Sequence, residues 1–207
     1  MIRARSRTGG PGSSQDPRHI LGRAVMALKH LLYASPIYPI TLRGRVPADL
    51  RLVPPRFRPG DSARGRAILK GEFMLVSYPC QLGDAPWRNV PPNPAQGAAL
   101  HGFSWLGDLM AQGSDDAIRL ARHHVKGWAE IFGRWDALAW RPDVLGARLS
   151  AWLVAYPVLS RDNEKTRLLM LASMTAQARH LGRSIAAMPR DGRAFDALKG
   201  LIDAAIC

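Results

Sequence analysis

Proline is distributed very unevenly along this chain of 207 residues, because 13 of its 16 prolines lie within the first 94 positions. A proline inside a helix removes a backbone hydrogen bond and clashes with the preceding turn, so long helices are disfavoured where prolines are dense. The sequence therefore predicts an irregular front, made of short elements and connectors, and a back half that is free to form long helices.

Apolar residues in the back half recur at the three- and four-residue spacing of an amphipathic helix. Ser114 is placed to cap one of these helices, and Pro142 suits the first turn of another. The five predicted helices cover residues 95–111, 115–132, 142–157, 163–188 and 191–206. Because the connections between them are short, we expect consecutive helices to lie antiparallel, as hairpins.

The front half carries three further signals, separated by extended Pro-rich connectors. Residues 18–34 show helical spacing of apolar residues with a basic opposite face, which fits a helix docked on its own domain or one lying on a membrane surface. Asp61 suits the cap position of a short helix over residues 62–69. Residues 73–78 form the one strand-like run, and Pro79 is expected to end it.

These signals divide the chain into three predicted parts. Residues 1–17 form a flexible basic tail, residues 18–94 a helix with Pro-rich connectors and a short strand, and residues 95–207 a region of helical hairpins. The last helix keeps its apolar stripe to the final position, without the glycine, basic turn or polar tail that usually ends a helix, so we expect a truncated chain. The predicted fold class is mostly α, with an irregular Pro-rich N-terminal region.

The formal charge of +13 is concentrated at the amino end, where residues 1–60 hold 11 Lys or Arg against 2 Asp or Glu. Such a basic arm attracts nucleic acid, anionic lipid or acidic polysaccharide through the same long-range field. The sequence shows no clear basic helix face suited to base edges and no clear run of aromatics interleaved with Lys and Arg, so nucleic acid is a disfavoured partner. A basic helical module that binds nucleic acid or another acidic partner stays as the alternative interpretation.

Missing patterns exclude several classes of protein. No apolar run reaches the roughly 20 residues of a membrane-spanning helix, and the N-terminus lacks the apolar core of a secretory signal. The two cysteines are read as free thiols, which favours a cytoplasmic over a periplasmic location. His123 and His124 point about 100° apart on a helix and cannot share a metal there, so we expect them to be exposed or capping. Neither a metal nor a cofactor is predicted.

Two pairs of residues spaced four apart on predicted helices are candidates for ligand contact. Arg148 and Trp152 form one pair, with Arg141 two turns upstream, and His101 and Trp105 form the other. An indole offers a flat apolar face to a sugar ring, and a guanidinium offers a fork for a carboxylate or sulfate, so these side chains suit an acidic saccharide. The same spacing also fits side chains packed within a helix interface, such as a cation–π pair.

Three segments taken together resemble the amino-terminal region of the heparinase II/III-like family, a family of bacterial polysaccharide lyases. They are residues 60–73, with the run RGRAILKGEF, residues 100–109, which read LHGFSWLGDL, and residues 140–152, which begin WRPD. The match covers residues 55–207 in the order expected for the family.

The resemblance implies an incomplete α/α toroid of helical hairpins, followed in the family by a β-sandwich domain that is missing here. It also implies β-elimination on uronic-acid-containing polysaccharide, a reaction that needs a base for the C5 proton and a group that neutralises the uronate carboxylate. The family's catalytic segments lie beyond the matched part, so the chain is expected to be inactive alone, and no catalytic residue is assigned. The residues expected to orient the acidic polysaccharide are His101, Trp105, Arg141, Arg148 and Trp152.

Overall fold

The computed structural model describes residues 17–55, 59–189 and 191–207, and its contacts divide the chain into two units, Met1–Ser35 and Pro36–Cys207. The predicted flexible tail lies outside the described residues except for Pro17, which begins the first helix. The predicted boundaries after residues 17 and 94 stay predictions.

The first unit contains α1 (Pro17–Ala34), which confirms the helix predicted over residues 18–34. Leu28, Leu31 and Leu32 are exposed on this helix. None of the described helices combines the length and the apolar content that crossing a membrane requires. Docking of the apolar residues of α1 on the chain's own domain, or on a membrane surface, stays a prediction.

The second unit is built from helices and one β-hairpin among its described residues, and the predicted mostly α class is confirmed. Its helices are α2 (Tyr38–Thr41), α3 (Ser62–Leu69), α4 (Pro94–His101), α5 (Leu106–Met110), α6 (Asp115–Phe132), α7 (Pro142–Ser160), α8 (Glu164–Ser184) and α9 (Arg193–Ile206). Its strands are β1 (Glu72–Leu75) and β2 (Tyr78–Gln81), and a 3-10 turn at Ile185–Ala187 extends α8. Cys80 and Cys207 are free thiols, as predicted.

Side-chain caps begin three of these helices close to where the sequence places them. Asp61 accepts two backbone N–H groups from the first turn of α3, and Ser114 accepts that of Ala117 at the start of α6. The cap of α8 is Asn163, one residue after the predicted Asp162. Each such cap contributes about 1 kcal/mol, which is enough to fix where a helix starts.

The helix predicted over residues 95–111 is wrong as a single element, because it is divided into α4 and α5. Phe103, between them, has a φ of 57°, a left-handed conformation that a continuous right-handed helix cannot contain. Its side chain is fully buried, so packing of the phenyl ring stabilises the break. His101 and Trp105 therefore lie on either side of a turn instead of one helical turn apart.

The single strand predicted over residues 73–78 is wrong, because it is the first half of a hairpin. Leu75 pairs with Tyr78, so Val76 and Ser77 form a two-residue turn. Their φ values of 51° and 66° are those of a type I′ turn, although this turn favours Asn and Gly. Pro79 follows the closing pair, at a position that exchanges no ladder hydrogen bond, and so it continues the second strand instead of ending the first.

The helix α7 lies at the centre of the second unit, packed against α8 and most extensively against α9. Its crossing with α9 brings two glycines together, since a Cβ on Gly200 would lie 2.4 Å from the Cα of Gly146. The helix predicted to run from Pro142 toward Pro157 is confirmed, and it continues past Pro157 to Ser160. Close backbone approach and a central position make α7 the scaffold on which the neighbouring helices are placed.

Arginines of α8 fix the end of α2 and the irregular segment that follows it. Arg179 donates to the backbone oxygens of Leu42 and Arg45, both at 2.9 Å, and Arg183 donates to that of Thr41 at 2.8 Å. A segment without regular structure cannot pair these carbonyls with its own backbone, so it depends on side-chain donors. Part of the chain's positive charge is thus used to hold its own front half.

Candidate functional site

Four of the five residues predicted to contact a ligand lie in the interior. His101, Trp105, Arg148 and Trp152 each expose 2% of their surface or less. They belong to an aromatic cluster in which some neighbouring rings are stacked, as Phe103 and Trp105 are, and others meet edge to face, as Trp128 and Trp152 do at 5.5 Å between centroids. The other members of this aromatic cluster are Phe73, Trp87, Phe103, His124 and Phe132.

Arg148 is the charged residue of this aromatic cluster. Its guanidinium carbon lies 3.9 Å from the centroid of the Trp128 ring, so the cation–π partner is Trp128 rather than the predicted Trp152. Nη1 donates to the backbone oxygens of His101 at 3.0 Å and Ala139 at 2.8 Å, and Nε donates to the Gln177 side chain at 2.8 Å. Burial lowers the pKa of the Arg148 guanidinium. These contacts are internal, so Arg148 acts as a packing residue.

The two members of the second predicted pair are also bonded internally. Trp128 donates its ring N–H to Nδ1 of His101 at 3.2 Å, and Trp105 donates its own to the backbone oxygen of Leu100 at 3.0 Å. Burial, and then the charge of Arg148, lower the pKa of His101 to about 4. The imidazole is therefore neutral near pH 7 and belongs to the core.

Arg141, the fifth predicted contact residue, is partly exposed and holds the start of α7. Its guanidinium forms two parallel hydrogen bonds with the Asp143 carboxylate, at 2.7 and 2.8 Å. The fork that was expected to bind a saccharide carboxylate thus already binds a carboxylate of the protein. The structure does not bring the five predicted residues together at a surface.

The adjacent histidines of α6 lie in opposite environments. His123 is exposed, as predicted, but His124 is 1% exposed and contacts the rings of Phe73, Trp87 and Trp105, so the prediction for it is wrong. Burial, and then the neighbouring His123, lower the pKa of His124 to about 4. Across residues 17–55, 59–189 and 191–207, no group of three or more His, Cys, Asp or Glu is arranged to hold a metal.

A surface groove follows the outer face of α6 in two adjoining depressions that share His123. The first has a volume of about 290 Å³ and lies between α6 and the beginning of α8. The second, more open, has a volume of about 480 Å³ and lies beside the end of α3. We call the two together the α6 groove. Residues lining the first depression include Arg122, Val125, Lys126, Lys165, Thr166 and Leu169.

Arg122 is the most firmly held cation of the α6 groove. Its Nε donates to the backbone oxygen of Leu159 at 2.8 Å, and its Nη2 donates to that of Arg161 at 2.6 Å. Carbonyl groups at the end of a helix have no partner within the helix, so these bonds both satisfy the end of α7 and fix the guanidinium. The charge of Arg122 is thereby held at one wall of the first depression.

Positive charge is concentrated in the first depression. Among the described residues, Arg122 and Lys165 have no carboxylate within 4.0 Å. Lys126 lies 3.7 Å from Glu130, but both side chains are largely exposed, and such surface pairs contribute little. In the second depression, by contrast, Arg119 pairs with Asp116. The first depression is therefore suited to an anionic ligand.

Part of the signal for the α6 groove is present in the sequence, although the groove was not predicted. Arg119, Arg122, His123 and Lys126 recur at the three- and four-residue spacing of one helix face. The prediction for α6 used its apolar residues, which mark the buried face of the helix and not this charged one. The approach of Lys165 depends on how α8 packs beside α6, which no local pattern encodes.

No protein-family model matches the chain, and no solved structure matches it. The chain is 33% identical over 138 residues to "FtsZ-localized protein C" of Caulobacter vibrioides (strain NA1000 / CB15N). The aligned residues make up 65% of this chain and 24% of that protein. The chain thus spans about a quarter of the length of this relative.

This similarity corrects the family and the functions inferred from the sequence. The resemblance to heparinase II/III-like lyases is wrong, as are the lyase activity and the acidic polysaccharide partner with its β-sandwich domain, because the named relative is an FtsZ-localized protein. The nucleic-acid-binding alternative has no support in this comparison either. The three segments that suggested the resemblance contain helix starts and turns. Capping and turn residues recur at such places in unrelated helical proteins, so these segments do not identify a family.

Proposed function

We propose that this chain is a helical module of a protein that localises with FtsZ, and that it acts through contact with another protein. The observation that carries the proposal is the 33% identity over 138 residues to a protein named for its localisation with FtsZ. Because the chain spans about a quarter of that relative, the proposal gives this module a part in localisation and not the activity of a whole protein.

The α6 groove supports the proposal as the place of contact. Arg122 is fixed by carbonyl oxygens at the end of α7, and Lys126 and Lys165 lie on two long helices, so the charged side of the groove has a defined shape. Arginine is enriched at protein interfaces, and a preformed surface loses less conformational entropy when a partner binds.

Localisation in cells tests the proposal. A fluorescent fusion of residues 1–207, produced in Caulobacter vibrioides, should coincide with FtsZ and should disperse when FtsZ is depleted. A fusion with a folding defect, such as Arg148→Ala, provides the control for accumulation that does not depend on the fold. An even distribution of the unchanged chain in cells that contain FtsZ would contradict the proposal.

A further inference from the structure

The first depression of the α6 groove combines three cations with an apolar surface. Arg122 and Lys126 come from α6, and Lys165 comes from the first turn of α8. The half-buried Leu169 supplies apolar contact in the same depression, and Val125 is fully buried at its base. No Asp or Glu is among its lining residues, so a ligand that fits it carries negative charge beside an apolar group.

Arg122 retains donors for such a ligand. A guanidinium has five N–H donors in a fixed fork, and the carbonyls of Leu159 and Arg161 accept two of them. Neither of these acceptors is charged, so the positive charge of Arg122 is oriented but not neutralised by a carboxylate among the described residues. An incoming carboxylate thus meets a guanidinium already held in position, which lowers the entropic cost of binding.

The size of the first depression also limits the ligand. Its volume of about 290 Å³ is at the lower end of the range of roughly 300–1,000 Å³ for ligand pockets. An inorganic anion would leave the apolar surface uncovered, whereas a short stretch of peptide can place carboxylates and an aliphatic side chain in it together. The backbone of an extended peptide also brings donors and acceptors within reach of Thr166 and Asn163, which line the same depression.

We infer that the first depression binds a short acidic peptide segment of a partner protein. Carboxylates of the segment pair with Arg122, Lys126 and Lys165, and an aliphatic side chain packs on Leu169. This inference rests on the proposed function, because it names the chemistry of the partner at the α6 groove.

Binding of a defined peptide tests the inference. The probe is a fluorescein-labelled peptide of alternating Glu-Glu and Leu residues, and its fluorescence anisotropy is measured with the full chain. The matched control peptide has glutamine in place of every glutamate. We expect saturable binding of the glutamate peptide that weakens with salt, and at least roughly tenfold weaker binding of the glutamine peptide.

Charge reversal locates the site. The double variant Lys126→Glu, Lys165→Glu should weaken binding of the glutamate peptide roughly tenfold or more. Both lysines are exposed, and a glutamate in the first turn of α8 is favourable beside the helix dipole. A glutamate at position 126 repels Glu130 only weakly on the surface, so folding is preserved. Arg88→Glu, a charge reversal at an exposed residue that lines neither depression, should leave binding unchanged and controls for charge reversal outside the groove.

Several results would overturn the inference. The first two are equal binding of the two peptides and equal effects of the double variant and Arg88→Glu. The third is displacement of the peptide by inorganic phosphate at a similar concentration. The fourth is binding of vesicles that contain anionic lipid, if the double variant abolishes it without changing the affinity for the peptide. If the unchanged chain coincides with FtsZ but the peptide does not bind, the inference fails and the proposed function stands. If the chain is evenly distributed, the proposed function fails on that result alone.

Discussion

Arg148 and Arg122 have similar bonds in opposite surroundings. Both donate to backbone carbonyl oxygens, and neither has a described carboxylate within 4.0 Å. Arg148 is 0% exposed beneath the Trp128 ring, whereas Arg122 reaches the surface at the α6 groove. The hydrogen-bond acceptors of an arginine therefore do not distinguish a packing residue from a binding residue, whereas the exposure of its side chain does.

The strongest test of this comparison is Arg148→Ala. The substitution removes the donor to Gln177 and to two backbone oxygens and opens a cavity beside Trp128. We expect the free energy of unfolding to fall by about 3–5 kcal/mol, because buried acceptors lose their donor and a large side chain is lost. Urea unfolding followed by tryptophan fluorescence measures the change. A loss no greater than that of Arg122→Ala would contradict the comparison.

Acid sensitivity separates the interior from the groove in a second way. Burial is the main cause that lowers the pKa values of His101, His124 and His180 from 6.5 to about 4. The unfolded chain binds protons near pH 6.5 and the folded chain only near pH 4, so stability is full above about pH 7 and is lost as the pH falls from 6.5 toward 4. Each histidine contributes up to about 3 kcal/mol to this loss.

His124→Phe isolates one of these histidines. Neither ring nitrogen of His124 has a hydrogen-bond partner among the described residues, so a phenyl ring in the same aromatic surroundings loses no hydrogen bond. We expect stability at pH 7 to be kept and the loss at pH 5 to be smaller than in the unchanged chain. Urea midpoints measured from pH 7 to pH 5 follow the effect, and parallel curves for the two proteins would show that His124 does not titrate on unfolding.

Arg122→Ala should have a much smaller effect on stability than Arg148→Ala. The carbonyls of Leu159 and Arg161 lie near the surface and can bind water once the guanidinium is removed, so we expect a loss of about 1 kcal/mol. Binding of the glutamate peptide should fall at the same time, while Arg88→Glu leaves it unchanged. A large loss of stability with unaltered peptide binding would place Arg122 with Arg148 as a packing residue.

Local patterns predicted most helices but not the turns inside them. Asp61, Ser114 and Pro142 mark helix starts because a cap or a fixed φ acts within one turn of the chain. Phe103 breaks a helix because its ring packs in the core, and Val76 forms a turn without the usual Asn or Gly. Such positions are decided by tertiary contacts, which neighbouring residues in the sequence do not reveal.

The four-residue spacing correctly predicted which residues share a helix face, but it did not predict which elements pack on that face. Arg148 and Trp152 are four residues apart on α7, as expected, but α7 is buried on several sides, so both residues lie inside. The ring that receives the charge of Arg148 belongs to Trp128, on another helix. The α6 groove shows the reverse, because its cations follow a helix face that stays exposed.

The glycine crossing of α7 and α9 fixes the direction in which the last helix faces. At Gly146 and Gly200 the two main chains are in direct contact, with no side chain between them. A change of rotamer therefore cannot accommodate sliding or rotation of α9, which would first have to separate from α7. The apolar row on its outer side, Phe195, Leu198, Ile202 and Ile206, is exposed. This apolar row therefore keeps a fixed orientation relative to the rest of the second unit.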